Sequence, residues 1–579
     1  MENAQFSSTA SNFNAIHGGH GSIEEEFVFQ VRHSFSGMEL PGDINSLPIE
    51  NRKGAILFQD QHHRQQQQQQ QQETVVVDNM FVDEINFDYD LQETQPLQET
   101  KGLKNQEVAS SEFLEYNKQL QPSLASLELL RNYASRFKRL SEKKENNIEA
   151  SLEQQKLSVE EIIRVAGARY MQYSVHWNDN FCIPMHPYGM DLGGLSVEEN
   201  RDIELAQFLL AAAEKVSCQQ FERASRLLQH CQWNSSATGS SVQRVIFYFA
   251  KALRERIDKE TGRVVTFEGC EKNLERELHQ KMNTKFALTC HQNLPFNQVM
   301  QFTGIQAIVE HVASESKIHV IDLDINSGVQ CTALMQALAE RSYCTVVVEL
   351  LKVTAIGLVK YKTKIEETGK RLTSFAESLN LPFSYKAVLL NDMAEIAEDL
   401  FEIEECEAVV VYSPYYLKNL IATPELLENL MRVIRNIKPS IMIVLETESN
   451  HNSPSFVNRF IEALFFYSGF FDCLETCLKE ENECRMATEA ILFEGIRNIV
   501  AMEGKERTVR SVKTDVWKRF FARYRMMETG FSHSSLYQAN LVANEFAYGK
   551  FNTIDKNGKG LIIGWKGTPM FSLSAWRFI

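Results

Sequence analysis

Residues 317–341 read KIHVIDLDINSGVQCTALMQALAER, and this stretch decides the fold class. A short apolar run is typical of a buried strand, and two aspartates, Asp322 and Asp324, stand at its end. A glycine, Gly328, follows, and a helical pattern starts at about Thr332. A strand, a glycine-containing loop and a helix in this order are typical of the first unit of a nucleotide-binding α/β domain.

The same alternation continues after this unit. Strand-like runs alternate with helical stretches, which predicts a Rossmann-like, doubly wound parallel sheet because parallel strands need crossover connections. The predicted strands are 318–323, 345–351, 383–390, 407–412 and 440–446, with further strand-like pieces at 561–565 and 570–576. The predicted helices are 332–340, 365–379, 393–401 and 424–436.

A helical block precedes the first strand. Ser158 with Glu161, and Ser196 with Glu199, form capping-box pairs that mark two helix starts. Amphipathic spacing then continues to about residue 312. We therefore expect a helical lead-in over 121–195, an α-helical cap over 196–312 and an α/β core over 313–579.

The first 120 residues have the composition of a disordered region. Residues 65–72 are eight consecutive glutamines, and such tracts bury too little apolar surface to offset chain entropy. Residues 75–91, VVVDNMFVDEINFDYDL, mix aromatic and acidic side chains, which is typical of transcriptional activation segments but also of acidic linkers. Residues 136–145 hold five basic residues and fit either a nuclear import signal or a solvated helix face.

The net charge of −16 is concentrated in the first part of the chain. Residues 1–200 carry 16 basic and 30 acidic residues, whereas the rest carries 44 and 46. Such a chain gains no sequence-independent attraction to nucleic-acid phosphates, so direct DNA binding would require a local basic surface. The densest basic cluster, a candidate surface for DNA or an acidic partner and otherwise a solvated helix face, is Lys505, Arg507, Arg510, Lys513, Lys518 and Arg519.

Several function classes lack their signatures. No apolar run approaches the roughly 20 residues of a membrane span, and the amino-terminal residues do not form a secretory signal. The eleven cysteines are scattered; Cys473, Cys477 and Cys484 come closest to a cluster but complete no zinc site, so reduced thiols are expected. Neither G-x-S-x-G nor H-E-x-x-H occurs, and the histidines are isolated. We expect no catalytic residue, no metal and no cofactor.

The loop after the first strand is a poor cofactor site by the same reasoning. Sites for dinucleotides or S-adenosylmethionine usually need several glycines in this loop and an acidic residue at the end of the second strand. The loop DLDINSGVQ has one glycine, and Glu349 falls in the middle of the second predicted strand. Asp322 and Asp324 are therefore expected to cap the next helix and organise the loop, with a retained small-molecule site as the alternative.

Five ordered motifs carry a resemblance to the plant GRAS transcriptional regulators, from about residue 196 to the end. Residues 318–322, IHVID, are similar to the family's V-H-I-I-D motif, and leucine-rich helical regions flank them at about 202–310 and 365–400. Residues 449–475 resemble the P-F-Y-R-E region, 498–532 the R-V-E-R part and 564–578 the S-A-W motif. The matching residues are Ile318, His319, Val320, Ile321, Asp322, Asp324, Gly328, Arg459, Glu503, Gly504, Arg507, Trp517, Gly564, Trp565, Ser574, Ala575 and Trp576.

The resemblance implies a fold related to S-adenosylmethionine-dependent methyltransferases, with an α-helical cap. It also implies a nuclear regulator that is not an enzyme. Such a regulator would contact C2H2 zinc-finger or other DNA-binding transcription factors and other GRAS proteins, as a homo- or heterodimer, and reach DNA indirectly. Direct sequence-specific DNA binding is one alternative, and a ligand-binding or methyltransferase-like enzyme is another.

Some positions depart from the family pattern. Cys331 stands where many members have tryptophan after D-I-x-x-G-x-Q. The core is similar to the DELLA and scarecrow-like branches, but the amino-terminal region shows no D-E-L-L-A stretch. The terminal tryptophans, Trp565 and Trp576, are expected either to pack in the core or to anchor a partner, since tryptophan is enriched at interface hot spots.

Overall fold

The computed structural model describes residues 157–175, 195–263, 284–340 and 346–578, except 547, 549–551 and 558. The predicted disordered region over 1–120, with its acidic segment at 75–91, lies outside these residues. So do the basic stretch at 136–145 and most of the predicted lead-in. None of the described helices is long and apolar enough to cross a membrane.

Amphipathic helices precede the first strand, as predicted. Their bounds are α1 (Val159–Val175), α2 (Val197–Ser217), α3 (Phe221–Asn234), α4 (Ser241–Glu260), α5 (Thr284–Asn293) and α6 (Pro295–His311). The Ser196 hydroxyl accepts from the Glu199 N–H at 3.1 Å, and the Glu199 carboxylate accepts from the Ser196 N–H at 2.8 Å. The Ser158–Glu161 pair repeats this arrangement. Both predicted capping boxes are therefore present, and each satisfies N–H groups that a helix start leaves unpaired.

The folded body begins before the predicted boundary at residue 196. The Leu157 N–H, just before α1, donates to Glu199 Oε1 at 2.9 Å, and the Val159 N–H approaches Asp472 Oδ1 at 3.4 Å. Val159 itself is buried. Helix α1 therefore packs with the cap and the core.

A mixed sheet forms the centre of the molecule. Its strands are β1 (Lys317–Asp322), β2 (Leu350–Leu358), β3 (Phe383–Leu390), β4 (Ala408–Pro414), β5 (Ile441–Thr447), β6 (Met526–Thr529), β7 (Asn552–Asn557), β8 (Gly560–Trp565) and β9 (Thr568–Phe578). The order is β3-β2-β1-β4-β5-β9-β8-β7, and β6 also pairs with β9. Strands β1 to β5 are parallel, whereas β9 runs antiparallel to β5. The predicted fold class is confirmed as far as a doubly wound, Rossmann-like sheet with a helical cap.

Helices cover both faces of this sheet. They are α7 (Val329–Glu340), α8 (Lys362–Ser378), α9 (Pro424–Ile437), α10 (Phe456–Cys477), α11 (Asn482–Val500), α12 (Thr514–Ala522) and α13 (His533–Glu545). Along β4, Val410 and Tyr412 enter the core shared with the cap, while Val409 and Val411 enter a second core with α9 and α12. This two-sided burial explains why the predicted strands are continuous apolar runs.

Two predicted elements differ from the structure. The second strand covers Leu350–Leu358, not 345–351, because its pairing with β1 starts where Leu350 meets Lys317. The predicted helix at 393–401 is two short 3₁₀ turns, Met393–Glu395 and Glu398–Phe401. Extended backbone at Ala397 and a left-handed residue at Glu402 separate and end these turns. The stretch is therefore too interrupted to form one helix.

The carboxyl-terminal strands belong to the central sheet, and β9 lies inside it, not at its edge. Strand β9 lies between β5 and β8, and the side chains of Trp565 and Trp576 are 1% and 2% exposed. Trp565 Nε1 donates to Asp472 Oδ2 at 2.7 Å, and the Trp576 ring lies 4.7 Å from that of Phe521. Core packing is confirmed for both tryptophans, and the alternative of a surface anchor is wrong for them.

We predict that Trp576→Ala destabilises the full chain by about 3–5 kcal/mol, because it leaves a large cavity against Phe521. Arg577→Ala is the matched control, since this neighbour on β9 is exposed and its loss should change stability by about 0.5 kcal/mol or less. Urea unfolding measures both. Equal stability of the two variants would contradict the central position of β9.

Candidate functional site

The candidate site is the crevice at the carboxyl ends of β1 and β4. In open parallel sheets, ligands bind where the strand order reverses, outside these ends. Here β2 follows β1 on one side, and β4 lies on its other side. The motif residues Asp322, Asp324 and Gly328 therefore lie where a cofactor would be expected.

The chain itself uses both carboxylate oxygens of Asp322. This side chain is buried, Oδ1 accepts from the Asp324 N–H at 3.0 Å, and Oδ2 accepts from Gln330 Nε2 at 2.9 Å. Gln330 also donates to the Ile325 carbonyl at 3.1 Å. Burial raises the pKa of Asp322 to about 7, against these two hydrogen bonds, which lower it. The geometry agrees with the predicted role of Asp322 in organising the loop.

Helix α8 covers the rest of the loop. Gly328 has φ +71°, and a Cβ there would lie 2.8 Å from Thr368 Cγ2. The Thr368 hydroxyl donates to the Asn326 carbonyl at 3.0 Å, and Arg371 Nη2 approaches the Ser327 carbonyl at 3.3 Å. The glycine is thus required for packing of the chain against itself, since a side chain at this position would collide with Thr368 of α8.

The end of β2 also lacks the acidic residue that would hold ribose hydroxyls. The residues after this strand are Val359, Lys360 and Tyr361. Glu349 precedes β2, and its N–H donates to the Ser316 carbonyl at 2.8 Å. Its predicted position in mid-strand is wrong, since it lies at the opposite edge of the sheet. The crevice residues therefore do not fit S-adenosylmethionine.

A second buried acid lies near the end of β5, and the sequence reasoning missed it. Glu446 Oε1 accepts from the Lys418 N–H at 3.2 Å, and burial raises the pKa of Glu446 to about 7. Gln330 and Thr368 were also missed. A polar residue inside or beside an apolar strand, as in IMIVLETES at 441–449, was the available signal for Glu446.

The buried histidines have structural partners, as predicted for isolated histidines. His319 Nδ1 lies 2.9 Å from Glu407 Oε2, and its Nε2 lies 2.8 Å from the Thr354 hydroxyl. His451 Nε2 lies 2.8 Å from the Ser449 hydroxyl, and burial lowers the pKa of His451 to about 3. Both rings are therefore placed to hold loops and strands together.

Most family-motif residues are buried and do not form one site. Arg459 Nη1 donates to the carbonyls of Ser453 and Pro454 at 2.9 and 3.0 Å, and its Nη2 pairs with Glu503. Asp324 is partly buried, and Glu503 and Gly504 are exposed. The buried members are Ile318, His319, Val320, Ile321, Asp322, Gly328, Arg459, Arg507, Trp517, Gly564, Trp565, Ser574, Ala575 and Trp576.

The predicted basic surface is corrected by the burial of two of its members. Arg507 Nη1 donates to the His451 carbonyl at 2.9 Å, and Arg510 Nη2 donates to the Gly504 carbonyl at 2.8 Å. Both arginines are buried. They hold the loop before α12, because a buried guanidinium needs acceptors for its N–H groups.

The remaining members carry less free charge than the sequence suggests. Lys513 Nζ lies 3.0 Å from Glu462 Oε1, and Lys518 Nζ lies 3.7 Å from Glu528 Oε2. The exposed members of the six are Lys505 and Arg519. This region therefore does not present one dense basic surface.

No group of three potential metal ligands occurs among the residues that the structure describes. The Sγ atoms of Cys473 and Cys477 lie 3.8 Å apart, one turn apart on α10. Cys484 lies on the next helix, α11.

We predict that Asp322→Asn changes how stability depends on pH. The pKa of this carboxyl is raised on folding from its ordinary value of 3.8 to about 7. Its contribution to the stability of the folded protein is therefore lost as pH rises between these two values. Relative to the variant, the wild type should therefore lose up to about 1.4 kcal/mol per pH unit in this window. Urea unfolding of both proteins from pH 4 to pH 8, roughly, measures this difference, and a difference that does not vary with pH would contradict the buried, protonated acid.

Comparison with known proteins places this fold and its motifs in one family. The GRAS domain family model matches residues 205–577. The DELLA protein GAIP of Cucurbita maxima is 31% identical over 389 residues, which cover 66% of this chain and 63% of that protein. DELLA protein 2 of Medicago truncatula is 32% identical over 383 residues, covering 66% of this chain and 68% of that protein. The chain thus matches under two thirds of the length of the first relative.

A solved structure shows the same fold. The crystal structure of SCL7 from Oryza sativa superposes with a TM-score of 0.56 at 25% identity, covering 64% of this chain and 99% of that chain. The family model spans more than half of the present chain, from α2 to β9. The chain is therefore a member of the GRAS domain family.

Proposed function

We propose that this protein is a nuclear transcriptional regulator that acts through protein–protein contacts. Its partners would be DNA-binding transcription factors, including C2H2 zinc-finger proteins, and other GRAS proteins. The observation that carries the proposal is the crevice, where Asp322, Gln330 and Thr368 are all engaged with the chain itself. When the ligand site of a domain is filled by its own side chains, the outer surface is what remains for binding other proteins.

The charge distribution favours indirect contact with DNA. Non-specific affinity for DNA depends on several lysines and arginines that neutralise phosphates together. In the cluster 505–519, Arg507 and Arg510 are buried, and Lys513 and Lys518 have carboxylate partners. A partner that supplies the DNA specificity removes the need for such a surface.

The cap offers a surface for pairing with a second GRAS domain. Trp233 near the end of α3 is 76% exposed, and Val197 at the start of α2 is 87% exposed. The two helix ends are joined by Arg201 Nη2, which donates to Asn234 Oδ1 at 3.0 Å. An exposed tryptophan is the type of group that dominates binding energy at interfaces, and an exposed aliphatic side chain adds apolar surface.

We predict that Trp233→Ala weakens self-association by at least tenfold, the equivalent of about 1.4 kcal/mol, because a truncated hot-spot tryptophan commonly costs more than this. Gln232→Ala is the control, as an exposed polar neighbour on the same helix. Analytical ultracentrifugation over a concentration series gives both dissociation constants. Equal dissociation constants for the two variants would show that the pairing surface does not include this end of the cap.

The function itself is tested by DNA selection with the full-length protein, alone and with a C2H2 zinc-finger partner, across a salt series. We expect enrichment only with the partner and at the partner's own site. Enrichment by the protein alone, with affinity that falls steeply as salt rises, would instead indicate direct phosphate contacts. That result would overturn the proposal that the protein reaches DNA through a DNA-binding partner.

A further inference from the structure

Two cysteines from distant parts of the chain meet between the cap and the core. Cys290 lies on α5 and Cys484 on α11, 194 residues apart in sequence, and their Sγ atoms are 3.5 Å apart. The pair lies on helices that contribute nothing to the crevice described above. Neither residue takes part in a group of three potential metal ligands among the described residues.

The geometry of this pair suits a disulfide. A disulfide bond is about 2.05 Å long, so the two sulfurs must approach each other by about 1.5 Å. Because they come from separate helices, side-chain rotation and a small helix shift can supply this movement. Cys473 and Cys477 are an instructive contrast, since their sulfurs are 3.8 Å apart within α10. Residues four apart on a helix have Cβ atoms about 5–6 Å apart, which exceeds the distance of about 3.5–4.5 Å that a disulfide needs.

The two thiols also differ in a way that assigns their chemical roles. Cys290 is partly exposed and Cys484 is buried. The side-chain contact with the Cys484 thiol lowers the pKa of Cys290, and the Thr488 hydroxyl, 3.6 Å from Cys290 Sγ, acts in the same direction. The same contact with Cys290 raises the pKa of Cys484. Because Cys290 is the more exposed of the two, we assign it as the thiol that an oxidant meets and Cys484 as the thiol that resolves the product.

We propose that Cys290 and Cys484 are an oxidation site that forms a reversible disulfide on reaction with a hydroperoxide. The Cys290 thiolate attacks a peroxide oxygen, the O–O bond breaks, and the products are a Cys290 sulfenic acid and, after protonation, water or an alcohol. Cys484 sulfur then attacks Cys290 sulfur, the S–S bond forms, and the sulfenic oxygen leaves as water. The two thiols lose two electrons in total, which the peroxide gains, and a dithiol reductant reverses the change.

The bond would add a covalent link to the non-covalent contacts that already join the cap and the core. Helix α11 already contacts the cap, because Arg244 Nε of α4 lies 2.9 Å from Glu489 Oε1. The same oxygen also forms an ion pair with Arg485 Nη1. The disulfide would add a covalent link from α11 to α5, and closing a long loop stabilises the folded chain by restricting the unfolded one. Oxidation should therefore raise the thermal midpoint, and reduction should return it. This inference does not depend on the proposed function.

The test begins with the wild-type full-length protein, so that no variant needs to fold. The protein is treated with hydrogen peroxide, remaining thiols are alkylated, and the digest is mapped by mass spectrometry without reduction. We expect a Cys290–Cys484 linked peptide that disappears after dithiothreitol. If the exposed thiol of Cys406 is oxidised while Cys290 and Cys484 are both recovered as alkylated thiols, the proposal is overturned.

Variants then test the assigned roles. Cys484→Ser should abolish the linked peptide and leave a Cys290 sulfenic acid that dimedone traps, and Cys290→Ser should abolish both products. Cys477→Ser is the matched control and should keep the linked peptide and the rise in thermal midpoint. A linked peptide that persists in Cys484→Ser, with Cys290 joined to another cysteine, would contradict the pairing.

Discussion

A buried acidic side chain, Asp322, organises the loop at the centre of the sheet. Asp322 ends β1, the strand that pairs with β2 on one side and β4 on the other. A buried acid is tolerated only when donors satisfy it, and here the Asp324 N–H and Gln330 do so. These bonds fix the loop 324–330, and α8 packs against that loop through Thr368. The groups that would receive a cofactor are therefore the groups that hold the domain together.

The family motifs act in the same way elsewhere in the domain. Arg459 holds the carbonyls before α10, Arg507 holds the carbonyl of His451, and Trp565 donates to Asp472. Each contact joins segments that are distant in sequence or fixes the entry to a helix. The motifs thus specify the folded core, which explains why they identify the family without marking a partner surface. The exposed end of the cap at Trp233 lies outside these motifs and is the surface proposed above for a partner.

Local pattern was enough to predict the architecture but not every residue's environment. The alternation of apolar runs and helical stretches gave β3 over 383–390 in agreement with the structure, and the capping boxes gave two helix starts. The start of β2 depended on its pairing with β1, which is tertiary information. The predicted basic surface over 505–519 had to be corrected because a sequence displays charge but not burial. The carbonyl that accepts from Arg507, for example, belongs to residue 451. The Cys290–Cys484 contact spans 194 residues, and no spacing rule anticipates it.

We infer that the crevice lacks affinity for S-adenosylmethionine, because Asp322, Gln330 and Thr368 already bond to the chain itself. Isothermal titration of S-adenosylmethionine into the full-length protein, with thermal unfolding followed in parallel, tests it directly. We expect no saturable heat and no change in the thermal midpoint, since a ligand that binds the folded state must raise that midpoint. Saturable binding together with a higher midpoint, both lost in Asp322→Asn, would contradict the account and would show that the crevice still holds a ligand.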